Sequence, residues 1–87
     1  MTGRETSETR RLVRAIVVLI RNTTWKCGRL ERLIVSYLNK KARGFGKTQI
    51  GVSDIIQNFE LTGKRKNEFL DAIRRLERRN IIRILSL

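Results

Sequence analysis

The chain contains no histidine, a single cysteine (Cys27), and only 8 acidic residues against 20 lysines and arginines. One cysteine excludes an internal disulfide and a cysteine cluster for a metal. The lack of histidine removes the commonest other ligand, so neither a metal nor another cofactor is expected. Acid–base and nucleophilic chemistry lose their usual residues too: nothing near Cys27 supplies a base, and the carboxylates are scattered. The sequence reads as a non-enzyme. Long apolar runs are also missing. The most apolar stretch, AIVVLI at Ala15 to Ile20, is far too short to cross a bilayer, and no small-residue cleavage site follows it. No lipidation signal is visible, and basic residues are spread along the whole chain, which argues against a membrane partner. The expected location is the cytoplasm, associated with the nucleoid if the source is prokaryotic. The absence of proline, with plentiful Ile and Arg, suits a heat-adapted source.

The shortage of acid leaves a formal net charge of +12 on 87 residues. Self-repulsion on this scale disfavours a compact state, so a polyanionic partner is expected to use the charge, nucleic acid first. The length allows one small domain, residues 1–87, and makes a deep catalytic cleft implausible.

Thr2 and Glu5 have capping-box spacing, and the N-terminal segment 1–22 reads as a helix with Arg10, Arg14 and Arg21 along one side. Leu12, Val13, Ile16, Leu19 and Ile20 make its core face, while Val17 and Val18 carry the apolar surface further than one face needs. Two readings stand. Either β-branched residues fill a groove of the same chain, or the helix is also buried against a second subunit through Val13, Val17, Val18 and Ile20.

NTTWKCG at Asn22 to Gly28 breaks the pattern; Trp25 reads as a packing residue in preference to a base-stacking one, and Cys27 as a small buried apolar residue. Leu30, Leu33, Ile34, Tyr37 and Leu38 then follow helical spacing, predicting an amphipathic helix from Arg29 to about Arg43, ended by Gly44 with Phe45 packed back over the last turn. Lys40, Lys41 and Arg43 suit the negative end of its dipole as well as they suit phosphates. Thr48 to Val52 is a candidate strand. Ser53 reads as the N-cap of a short helix with Ile55, Ile56 and Phe59 inward, and Leu61 to Gly63 as a turn. Thr62 caps a second helix over about 63–79, with Phe69, Leu70, Ile73 and Leu76 inward. Asn80 stands where a left-handed residue closes a helix, and IIRILSL alternates as a strand.

GFGKT at Gly44 to Thr48 invites comparison with a phosphate-binding P-loop. Lys41 occupies the place of that motif's first glycine, and a helix precedes the segment where the motif needs a strand. Nucleotide hydrolysis is not expected.

The stretch VSDIIQNFELTGKRKNEFLDAIRRLERRNII resembles the winged helix-turn-helix family, in which a short helix, a turn, a recognition helix and the first wing strand follow one another. The likeness covers about residues 29 to 87, with Asn80 in the usual glycine position. It implies a mainly α fold with a small β element, preceded here by an extra N-terminal helix. Leu87 leaves no room for a second wing strand, so the terminal strand needs another partner, for which the segment around Ile50 is available.

The resemblance implies a protein that binds double-stranded DNA, as a transcription regulator or architectural binder, with the helix over about 63–79 in the major groove. It places Lys64 and Asn67 nearest base edges, with Lys47, Arg65, Lys66, Arg74, Arg75 and Arg78 on phosphates. Thr48 or Gln49 would meet the flanking backbone. Asp71 would face phosphates unless it pairs with Arg74 or Arg75. A homodimer through the first helix would set two such helices about 34 Å apart. Ile50 to Leu87 is also similar to a small winged-helix protein of archaeal and eukaryotic ribosomal subunits, which implies RNA binding instead. A third reading makes the chain an accessory subunit, with a protein partner in a replication or transcription complex.

Overall fold

The computed structural model describes residues 7–85 and has a mainly α fold with a small sheet. In chain order the elements are α1 (Ser7–Arg14), β1 (Ile16–Leu19), α2 (Arg29–Phe45), β2 (Gln49–Gly51), α3 (Val52–Asn58), α4 (Gly63–Arg78) and β3 (Ile82–Leu85). The expected capping box at Thr2 and Glu5 and the packing of the Phe45 side chain lie outside the described residues and side chains.

The largest departure from the sequence reading is at the first element. One helix was expected to run to about Asn22, but α1 stops at Arg14 and the apolar run after it becomes β1. Three consecutive β-branched residues, Ile16, Val17 and Val18, are stiff at χ1 and favour a pleated surface over a helix. Long-range pairing then decides the outcome. β1 is the central strand of an antiparallel sheet of order β2-β1-β3, with Val17 opposite Ile50 on one side and Ile84 on the other. The partner that the terminal strand needed is therefore β1, and the segment around Ile50 pairs with the opposite side of that same strand. Ala15 continues the ladder by accepting the Val52 N–H at 3.0 Å.

This placement takes Val17 out of the expected subunit interface. Val17 is 0 % exposed within its own chain, and Val13 packs partly buried against the same core. Because side chains alternate along a strand, Val18 lies on the opposite face of the sheet in register with Gln49 and Arg83, and is half-buried. Ile20, past the strand, is 48 % exposed.

The core joins the inner face of the sheet to α2, α3 and α4, through Ile34, Leu38, Ile55, Phe69, Ile73 and Leu76. Helix ends are set by backbone geometry more than by side-chain caps. Gly51 stands at the N-cap of α3, where Ser53 was expected, and Thr62 occupies the N-cap of α4 without a side-chain bond. Gly46, not Gly44, closes α2 with φ +68°, its N–H donating to the Ala42 carbonyl at 3.1 Å. Asn80 takes the expected left-handed conformation (φ 59°), and Ile81 N–H then reaches the Leu76 carbonyl at 3.0 Å. Glu60 closes α3 in the same way: it is left-handed, and Leu61 N–H donates to the Ile56 carbonyl at 2.9 Å.

Candidate nucleic-acid interface

The turn between α3 and α4 is anchored from both ends. Leu61 is buried, and the Phe59 ring sits between Tyr37 of α2 (centroids 5.6 Å apart) and Phe69 of α4 (5.2 Å). Such aromatic contacts add about 0.5–1.5 kcal/mol each beyond the area they bury, and they tie the helix pair to α2.

With its inner face buried, α4 turns the series Lys64, Asn67, Asp71, Arg74 and Arg78 outward, spaced three and four residues apart along one side. Arg74 is half-buried and the other four are exposed. The acidic member is answered from within the helix: Arg74 Nη1 donates to Asp71 Oδ1 at 3.1 Å. An exposed pair of this kind adds little stability, but it keeps the stripe from presenting a bare carboxylate. Arg65 is exposed beside the stripe, and Lys66 is half-buried.

Arg75 has a different job. Its Nε donates to Glu31 Oε2 at 3.3 Å, while Glu31 Oε1 accepts the Gly28 N–H at 2.6 Å. Glu31 is buried, so one carboxylate caps α2 and ties it to α4. The expected DNA residue Arg75 thus has an intramolecular partner, which the spacing within α4 could not reveal.

Lys47, Thr48 and Gln49 are exposed where α2 leads into β2. Lys47 borders a polar cavity of about 360 Å³ with Tyr37, Lys41, Asp54, Gln57 and Asn58. The Lys41 Nζ lies 5.5 Å from the Tyr37 ring centroid. Burial, and then the negative charge of Asp54, push the Tyr37 phenol above its usual pKa, so it stays neutral at that cavity.

Trp25 departs from a further expectation. It is 73 % exposed, so it is not a packing residue. The loop carrying it is held through its backbone: Arg79 donates to the carbonyls of Trp25 (2.5 Å) and Lys26 (2.9 Å), and Arg32 donates to that of Cys27 (3.3 Å). Cys27 is buried as expected. Arg79 went unread because its role depends on residues more than fifty positions away. Arg11 went unread because the first 22 residues have the pattern of a single helix; it lines a cavity together with Arg74 and Arg78.

Comparison with family models, with curated proteins and with solved structures finds no match. Among the described residues, no helix is long and apolar enough to cross a membrane.

Proposed function

We propose that this chain is a winged helix-turn-helix protein that binds double-stranded DNA, with α4 as the helix that enters the major groove. The observation that carries this reading is the outward stripe Lys64, Asn67, Arg74 and Arg78 on the second helix of a closely joined pair, in a chain of net charge +12. Lys64 and Asn67, near the N-terminus of α4, are placed for base edges; Arg65, Arg74 and Arg78 serve phosphates, with Lys66 and Lys47 at the margins. Thr48 and Gln49 meet the flanking backbone. Arg75 stays with Glu31. The pairing of β1 with β3 supports the winged reading, because β1 stands beside β3 where a second wing strand would. Two copies joined across the outer sheet face, where Val18 lies, with Ile20 nearby, would present two α4 helices to one duplex, and the chain then acts as a transcription regulator or architectural binder in the cytoplasm or nucleoid.

One observation favours a second reading, RNA binding. The exposed indole of Trp25 offers a stacking surface for unpaired bases, which folded RNA presents and duplex DNA does not. The accessory-subunit reading loses its main support, since the apolar residues that seemed to need a partner form β1.

The test is binding of labelled duplex DNA and of structured RNA across a salt series, with Lys64→Ala and Arg74→Ala alongside. We expect nanomolar duplex binding at low salt, a slope of about −0.9 per phosphate contact, and loss of affinity in both variants. Weak duplex binding unchanged by either variant, with tight RNA binding, would transfer the assignment to RNA.

A further inference from the structure

Between α1, α4 and β3 lies an open cavity of about 290 Å³ lined by Arg11, Leu12, Ala15, Arg74, Glu77, Arg78 and Ile84. Its character is divided. Its lining joins apolar residues, the buried Leu12 and Ala15 and the half-buried Ile84, with three arginines from two helices. Arg74 is partly committed to Asp71, and Glu77 offsets one charge, but no described residue pairs with Arg11 or Arg78. Three arginines against one lining carboxylate leave an excess of positive charge, which an anion between them offsets.

The chain path explains how Arg11 comes to be there. β3 runs from α4 to Leu85, which is opposite Ile16 at the start of β1. In a winged domain a loop would join two such strands at this end and carry the wing tip. Here the chain enters β1 from α1, so α1 stands at that end of the sheet and brings Arg11 to the side of α4. Glu8 precedes Arg11 by three positions in α1, and no acidic residue then occurs from Thr9 to Leu30.

We propose that this cavity binds a phosphate group of the nucleic-acid backbone, with Arg11 and Arg78 as the principal donors and α1 taking the place of a wing. The inference rests on the DNA reading of α4 and extends its surface to an element that this reading did not include. A phosphodiester carries one negative charge, suited to the bidentate guanidinium, and the apolar lining residues suit the attached sugar. The same chemistry would serve a free phosphate compound, and the two sources are separable.

The experiment titrates duplex DNA, and separately inorganic pyrophosphate, into the full chain and into Arg11→Gln, Arg78→Gln, Lys64→Ala and Arg29→Gln. Arg29 is exposed and lines no part of the cavity, so its replacement controls for loss of charge alone. Circular dichroism checks that each variant folds. We expect Arg11→Gln and Arg78→Gln each to weaken duplex binding about tenfold and to flatten the salt slope by about 0.9, with Arg29→Gln changing affinity only about twofold. If Lys64→Ala weakens duplex binding while Arg11→Gln behaves like Arg29→Gln, the DNA reading stands and the cavity proposal is overturned. Pyrophosphate binding that depends on Arg11, in a protein that ignores duplex DNA, overturns the backbone assignment in favour of a free phosphate compound. Failure of both ligands to bind overturns the proposal together with the reading beneath it.

Discussion

Glu31 is the one buried charged side chain among the described residues, and its two oxygens serve different neighbours: the Gly28 N–H and the Arg75 guanidinium. Removing it uncaps α2 and releases Arg75. The side chain of Arg75 is 45 % exposed, so water takes over much of the lost ion pair and the cap dominates the loss. Glu31→Ala is expected to cost roughly 2 kcal/mol in chemical denaturation. A double-mutant cycle with Arg75→Ala should find a coupling of about 0.5–1 kcal/mol. A coupling near zero would show that the pair merely shares space. At this scale the sequence was readable where a residue acts within its own segment. Asn80 closes α4, and Asp71 pairs with Arg74, because both depend on neighbours a few positions away. Trp25 was misread, and the partner of Arg75 was missed, because their surroundings come from distant parts of the chain: backbone carbonyls hold Arg79 without covering the indole, and Glu31 reaches Arg75 from α2.

The helices α2, α3 and α4 were legible for a related reason. Each buries one stripe, and a stripe of period 3.6 is visible in a single segment. The short strand before α3 and the strand after α4 could also be located, as β2 and β3. The segment Ala15 to Ile20 is apolar at every position, so neither a helical nor a strand period stands out, and its state depends on hydrogen bonds from both neighbouring strands. That dependence runs both ways. A chain shortened to residues 22–87 should fail to fold, because β2 and β3 lose their common partner and Val17 leaves the core. The measure is amide dispersion in a proton–nitrogen correlation spectrum, expected to collapse. Retained dispersion would return the first element to the status of an appendage.

The charge belongs to the molecule as a whole. Twenty basic residues cannot all be paired by 8 acidic ones, and those left over repel each other across a domain whose extents are only 40 × 27 × 22 Å. Salt should therefore raise the thermal midpoint of the free protein over the range in which the Debye length shrinks from about 30 Å to about 8 Å. The same salt should weaken a complex with duplex DNA. The opposed trends, read by calorimetry and by binding, distinguish a fold burdened by its own charge from one held together by ion pairs, for which salt would lower the midpoint. Net charge could be read from composition alone, but the positions that gather it could not, since Arg11 shares a cavity with Arg74 and Arg78 only in the folded chain.

The central position of β1 also bears on how the chain is made. A ribosome delivers IVVL before any of the helices that will cover it, and its neighbour β3 only after all of them. Throughout that interval the nascent chain carries an unsatisfied, strongly β-prone segment of the kind that seeds aggregation. Arg14 precedes the segment and Arg21 comes after it, both exposed in the finished fold. Charges that flank a β-prone segment in this way disfavour the pairing of like strands from neighbouring chains.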